Sequence, residues 1–330
     1  MKEVIRKKLL DCGAVAVGFA RAGRIDAGVD EEFQKWIGEG CHAEMSYLQR
    51  HIPLRQHTDH VLEGAKTVIS LAFSYMPRSV RSPHLPSISA YAYGDDYHRV
   101  VRERLQPMVK EFQHNFGGNW RVCIDSAPIA ERYWAMKAGI GKRGVNGSVI
   151  IDKGGSLCFL TEILTTLEIL PDNPSEDFCH RCGECINVCP GKAIKGDGTI
   201  DSRKCLNYLT IEKKGEFSEE DISLIKAGAG SLFGCDKCLR VCPHNKINRD
   251  NPYPNSSGEF EDPAISTLPQ FRMDPRIETL TPEFIMQLTE SEFNTLFSSS
   301  PLAYGGYTRL RRIASLLLTS SEASGESTDI

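Results

Sequence analysis

Eight cysteines between positions 179 and 242 constrain this chain more than any other feature. The first run reads Cys179-His180-Arg181-Cys182-Gly183-Glu184-Cys185-Ile186-Asn187-Val188-Cys189-Pro190, a C-x2-C-x2-C-x3-C-P spacing. A lone Cys205 follows, and Cys235-x2-Cys238-x3-Cys242-Pro243 closes the stretch. A structural zinc takes four ligands and does not need the x3-C-P extension twice over. Disulfides belong to oxidising compartments, and nothing here reads as secreted. Eight thiolates at this spacing suit two [4Fe-4S] clusters.

In bacterial-type two-cluster ferredoxins, three close cysteines wrap one cube and the cysteine before proline turns away to the other. That rule places one cluster on Cys179, Cys182, Cys185 and the distant Cys242, and the second on Cys189, Cys205, Cys235 and Cys238. The second half is irregular. Cys205 stands where a compact repeat would have its first C-x2-C cysteine.

The 330 residues allow two or three domains with a sizeable core. The start, Met1-Lys2-Glu3-Val4-Ile5-Arg6-Lys7-Lys8, has no apolar h-region and no twin arginine, and no run is long enough to span a bilayer. A cytoplasmic, soluble monomer without a membrane partner is expected. Cys12, Cys41, Cys123 and Cys158 stand singly in apolar surroundings and read as reduced core residues. A formal net charge of -4 does not announce a nucleic-acid binder, so any RNA contact has to come from a local basic patch.

Alternating strand and helix patterns over residues 1–170 predict an α/β domain, a sheet covered by helices. A first helix is expected with Val4, Ile5 and Leu9 inward, then a strand at Ala14 to Phe19. Asp30 is expected to cap a helix carrying Phe33, Trp36 and Ile37. Thr67 to Phe73 reads as a buried strand, and Arg99 to Phe116 as a helix with a kink at Pro107. A strand at Trp120 to Ile124, a helix opened by Pro128 and a strand pair across Ser148 to Ile163 complete the domain. Pro171 to Asp177 reads as a polar linker into a two-cluster ferredoxin-like domain over 171–250. A helical and loop segment follows over 251–319, loop-like from Asn248 to Pro263. Helices are expected near Pro282 to Leu288, Glu290 to Phe297 and Leu310 to Leu318, then a disordered tail over 320–330.

Gly139-Ile140-Gly141-Lys142-Arg143-Gly144 satisfies G-x-G-x-x-G, with Glu162 near the place of a ribose-binding acid. The dinucleotide fingerprint needs a strand before the glycines, and here a helix from Glu131 to Ala138 precedes them. The glycines therefore read as a loop that backbone approach to a bulky group requires.

Several further stretches carry a resemblance: Met45-Ser46-Tyr47-Leu48 with Arg55, Gly64-Ala65-Lys66-Thr67-Val68-Ile69, and Tyr91-Ala92-Tyr93-Gly94-Asp95-Asp96-Tyr97-His98. Asp125-Ser126-Ala127-Pro128 with Glu131-Arg132, Cys205-Leu206-Asn207-Tyr208-Leu209-Thr210-Ile211-Glu212 and Phe233-Gly234-Cys235-Asp236 continue it. In this order around the eight cysteines, the chain resembles the epoxyqueuosine reductases, cobalamin-dependent iron–sulfur enzymes of tRNA queuosine biosynthesis. The resemblance implies a nitroreductase-like N-terminal domain holding base-off cob(II)alamin, two [4Fe-4S] clusters feeding it from an external low-potential donor, and tRNA carrying epoxyqueuosine as substrate. By the same match Asp125 is the expected proton donor to the epoxide oxygen, with Asp96, Tyr97 and His98 beside it. A helix N-terminus near Pro128 would lower the carboxyl's pKa, whereas a donor at neutral pH needs burial to raise it.

Arg55, Tyr97, Asp125, Asn146, Ser148 and Thr210 are the expected cobalamin contacts, guanidinium and carboxamide groups suiting the corrin's amide and phosphate edges. One departure stands out. Where the family usually has an aromatic-aliphatic pair and then a lysine, this chain has Lys142-Arg143 and Val145. That exchange bears on corrin packing or substrate contact, and it offers two cations to tRNA phosphate. The alternatives are another corrinoid iron–sulfur reductase, similar to the reductive dehalogenases and acting on a small molecule, and a plain electron carrier. The large N-terminal domain argues against the last.

Overall fold

The computed structural model describes residues 1–152, 154–174, 179–245 and 266–319. The expected loop at Asn248 to Pro263 and the tail from 320 lie outside these residues, as does the linker's Ser175 to Asp177. Eight strands run through the described residues: β1 (Ala16–Arg21), β2 (Thr67–Ser74), β3 (Ser87–Ile88), β4 (Trp120–Ile124), β5 (Gly141–Arg143), β6 (Val149–Ile151), β7 (Cys158–Thr165) and β8 (Ser231–Phe233). The main sheet has the order β1-β2-β7-β4, with every pair antiparallel. Its centre is the apolar run of β2, all eight residues of which are buried. A strand covered on both faces has no use for alternating polarity.

Side chains alternate across that sheet. Ile69, Leu71, Phe73 and Ile163 share a core with Val101, Leu105 and Phe112 of the long helix Tyr97–Phe116. On the opposite face Val68, Leu164 and Cys123 pack against Tyr133 and Trp134 of the helix Glu131–Lys137. The first of these cores runs on without a break into Leu206, Leu209 and Phe233 beside the cluster cysteines, and into Ile285, Phe293 and Ile313 of the C-terminal helices. One apolar body therefore carries both the sheet and the cysteine-bearing turns.

Local chemistry moved several expected boundaries. Val4 is exposed while Ile5 and Leu9 are buried, because only two positions of the helix Lys2–Asp11 meet the sheet. Asp26, not Asp30, precedes the helix Ala27–Gly38, and Asp30 is a buried residue within it whose carboxylate accepts from Gln56 at 2.9 Å. The helix expected to open at Pro128 begins at Glu131. The strand pair expected across Ser148 to Ile163 does not form. β6 pairs with β5, inside the stretch read as a glycine loop, while β7 lies between β2 and β4. The long helix starts two residues earlier than its apolar pattern suggests, because Asp96 caps it by accepting from the His98 N–H at 2.9 Å.

The polar stretch at 171–174 is anchored. Asp172 accepts from Lys2 Nζ at 2.7 Å, Arg6 Nη2 at 2.9 Å and the Phe19 N–H at 3.0 Å. The helices Pro282–Gln287 and Glu290–Phe297 form where apolar spacing places them, and Tyr307–Leu318 begins three residues before the expected Leu310. Thr281 and Thr289 cap the first two through their hydroxyls. Among the described residues no helix is long and apolar enough to cross a membrane.

Candidate active site and cysteine centre

Asp96 does two jobs with one oxygen. Besides capping its helix, Oδ1 lies 2.8 Å from His98 Nδ1, and the other imidazole nitrogen, Nε2, lies 3.0 Å from Asp125 Oδ2. The spacing Asp96-Tyr97-His98 makes this possible, since a cap and the second residue of the helix project to the same end. Between them Tyr97 is clasped at 4.1 Å by the Phe159 ring, 6° from parallel, and at 4.1 Å by the His98 ring. Its hydroxyl donates to Asp125. Asp125 itself follows the last residue of β4, with a left-handed backbone at φ 44°. Its N–H donates to Glu131 Oε1 at 2.8 Å.

Electrostatics follow from these contacts. Burial disfavours the His98 imidazolium, but hydrogen bonds to Asp125 and Asp96 win and raise it to about 9. Asp125 shows the converse. Burial pushes its carboxyl up, and the bonds from His98 and Tyr97, with Arg55 nearby, bring it below the usual carboxylate range. The proton of the pair therefore rests on the imidazole at neutral pH. Glu131 is raised to about 7, by burial first and by the Asp125 carboxylate second. Glu162 on β7, fully buried, is pushed well above its usual range by burial and by Glu131, and Ser70 Oγ donates to its Oε1 at 3.0 Å.

Asp125 and Arg132 combine solvent exposure with dense surroundings. Asp125 keeps 55% of its side-chain surface, yet burial is the largest influence on its carboxyl. Arg132 is likewise exposed, with burial the first influence on its guanidinium. A group open to solvent while dense protein surrounds it lies at the base of a hollow. Arg55, which influences both Asp125 and Glu131, has a buried Nε with no hydrogen-bond partner. Such an orphaned donor marks a place for a polar ligand.

The cysteines gather in two groups. Cys179, Cys182, Cys185 and Cys242 line one cleft together with Gly144, Val145 and Asn146. In the other group, burial raises the Cys238 thiol, and Cys235, Cys205 and Cys189 follow as its neighbours in influence. Burial likewise raises Cys235 to about 11, with Cys205 beside it. Cys182 is exposed, whereas Cys205 and Cys238 are half-buried. All twelve cysteines are free of disulfides, Cys41 and Cys123 being buried and Cys12 and Cys158 half-buried.

Asp96, Tyr97, His98 and Asp125 thus meet, with Arg55 close by. The remaining expected contacts sit at the cysteine module. Asn146 is buried, its Nδ2 donating to the Cys238 carbonyl at 3.5 Å and its Oδ1 accepting from the Ser148 N–H at 3.2 Å. Thr210 is buried with its hydroxyl spent on backbone, donating to the Leu206 carbonyl at 3.0 Å and accepting from the Gly234 N–H at 2.9 Å. Of the two loop cations, Arg143 pairs with Glu32 at 2.8 Å. Two participants carried no expected role. Glu131 stood in the sequence as part of a stretch carrying the resemblance and as an acid in a helix's first turn. Asp236, which accepts from the Ala90 N–H at 2.5 Å and from Ser89 Oγ and so ties the module to the sheet domain, was marked only by the resemblance and by its place beside Cys235.

A double [4Fe-4S] binding module joined to a mixed α+β domain in which Asp96, His98 and Asp125 meet defines an iron–sulfur oxidoreductase. Residues 178–245 match the 4Fe-4S double cluster binding domain, and residues 55–126 match the family described as Epoxyqueuosine reductase QueG, DUF1730. The chain is 37% identical over 244 residues to an epoxyqueuosine reductase of Cyclobacterium marinum, spanning 72% of this chain and 78% of that protein. It is 32% identical over 311 residues to that of Cellulophaga algicola, spanning 92% and 95%. Among solved structures, a selenomethionine-labelled epoxyqueuosine reductase superposes with a TM-score of 0.81 at 25% identity, over 96% of this chain and 80% of that one. An epoxyqueuosine reductase bound to an epoxyqueuosine-modified tRNA-Tyr stem loop shares the fold, with a TM-score of 0.80 at 24% identity over the same shares. The chain belongs to the epoxyqueuosine reductase family.

Proposed function

We propose that this chain reduces the epoxide of epoxyqueuosine at the tRNA wobble position, giving the alkene of queuosine and water. Removal of the oxygen as water consumes two electrons and two protons. The observation that carries the reading is the Asp96-His98-Asp125 relay at the base of a hollow, in a chain that also holds eight cysteines in two groups of four. Relatives named for the reaction, and a neighbour bound to an epoxyqueuosine-modified stem loop, support the substrate.

The two groups of cysteines hold two [4Fe-4S] clusters. Cys182, being exposed, makes the group with Cys179, Cys185 and Cys242 the entry point for electrons from a low-potential donor. Cys189, Cys205, Cys235 and Cys238 lie deeper and hold the cluster that passes them on. The domain around β2 is nitroreductase-like in this reading, and its hollow takes base-off cobalamin. When bound, that group supplies an electron-rich metal centre for the epoxide carbon. The orphaned Arg55 Nε and the open floor around Asp125 and Arg132 fit a large polar ligand. Arg55, Tyr97, Asn146 and Ser148 border it, while Thr210 serves it indirectly by fixing Gly234.

The two protons pass through the relay one at a time, solvent at the exposed Asp125 recharging it between them. The His98 imidazolium passes its proton from Nε2 to Asp125, which presents it to the departing oxygen, and Asp96 steadies the positive charge at Nδ1. Tyr97, held between two rings, keeps Asp125 aimed by its hydroxyl. Asp125→Asn tests this, because asparagine tolerates the left-handed backbone and keeps the shape. Turnover of epoxyqueuosine-tRNA should fall roughly 10²–10⁴-fold with cluster absorbance and cobalamin binding unchanged. Full activity removes Asp125 from the chemistry. Nucleoside analysis of tRNA from a deletion strain tests the substrate, and unchanged queuosine there overturns the whole reading.

A further inference from the structure

Asp125 adopts φ 44°, a conformation that costs a non-glycine residue roughly 1 kcal/mol or more. Something has to hold it there. The ladder between β4 and β7 ends at Ile124, so the Asp125 N–H has no strand partner. It donates instead to Glu131 Oε1 at 2.8 Å, six residues on. Glu131 is the first residue of the following helix, and the amide its carboxylate accepts from lies outside that helix. Among the described residues the only hydrogen bond recorded for the Glu131 side chain is this one to Asp125. Burying an acid is unfavourable, and here burial and the neighbouring carboxylate raise it to about 7. An acid kept at such a place serves the loop.

We propose that Glu131 is a positioning residue, clamping the left-handed backbone of Asp125 so that its carboxylate stays on His98 Nε2 and faces the hollow. The inference rests on Asp125 being the group that delivers the proton. A carboxyl oxygen accepts the N–H in either protonation state, so the clamp holds across neutral pH. The charged groups facing Glu131 are Asp125, Arg55 and Arg132, with Glu162 behind it on β7.

Two variants separate acceptor from charge. Glu131→Gln keeps a carbonyl acceptor at the same reach, whereas Glu131→Ala removes it. In cluster-reconstituted protein, hydrogen–deuterium exchange at the Asp125 amide should quicken about tenfold in Glu131→Ala, the worth of one hydrogen bond. Its kcat should fall on the order of 10²-fold with KM for epoxyqueuosine-tRNA unchanged, as misplacement of a reacting group predicts. Glu131→Gln should match the parent in both measurements. An unaltered Glu131→Ala, or a Glu131→Gln as impaired as Glu131→Ala, overturns the clamp. Should Asp125→Asn be fully active, the proton role fails while the exchange measurement still reports on the clamp by itself.

Discussion

In β2 all eight residues are buried, whereas the two short helices that carry cluster cysteines, Glu184–Val188 and Lys237–Arg240, bury none of theirs. The sheet domain is stabilised by apolar area removed from water, at about 25 cal/mol per Å². The cysteine turns have little such area of their own. Their left-handed turns at Arg181, Lys192 and Gly183 bring thiols together instead, and ligation has to supply what packing does not. The lesson is that the halves of one continuous core answer to different chemistry. Iron removal should loosen one and spare the other.

The largest effect should come from breaking a ligand set. Cys238→Ser should lose about half the iron of the holoprotein and all turnover, read by iron analysis and the tRNA assay, while far-UV dichroism of the sheet domain persists. Retention of all iron would show that the turns are held by something besides thiolates. A smaller effect belongs to the sheet. Ile69→Ala, at a fully buried position in β2, should cost about 2–5 kcal/mol in denaturant unfolding and leave iron per folded molecule unchanged. If iron is lost in parallel, the two regions are not separable in this way.

The smallest effect is a pH limb. His98 titrates at about 9 in the folded chain, above its unfolded value near 6.5. Its contribution to stability is therefore complete below about 6.5 and disappears as pH rises through about 9. Turnover should follow the same limb, falling about tenfold per pH unit above 9 as the imidazolium is lost. His98→Gln should abolish the limb, and iron content should not follow it. A limb that survives in His98→Gln assigns the titration elsewhere.

An uninterrupted apolar run located β2, and local residue pattern located β4 and the helix Glu290–Phe297, since burial of a strand or a helix face imposes a pattern that needs no distant partner. Cysteine spacing marked the runs Cys179 to Cys189 and Cys235 to Cys242 as candidate cluster ligands, because a cube draws most of its thiolates from positions close along the chain. Pairing was not legible. β5 sits in a glycine-rich stretch and finds β6 only when both are held over the helix Glu131–Lys137, and β7 chose β2 and β4 instead. Nor did the residue list show that Asp26 rather than Asp30 would lead its helix, a choice made by the burial of Asp30 against Gln56.

The chain's own order determined which residue types are present for electron and proton transfer, and which of them lie within a few positions of each other: the cysteine runs, and Asp96 next to His98. Folding decided everything that joins distant positions. His98 meets Asp125 across 27 residues, Cys189 meets Cys238 and its neighbours, and Glu131 reaches back to an amide left over at the end of a strand. Hydrogen bonds and charge act over a few ångströms, so their partners are set by how the sheet and helices pack, which a linear pattern of polar residues does not record.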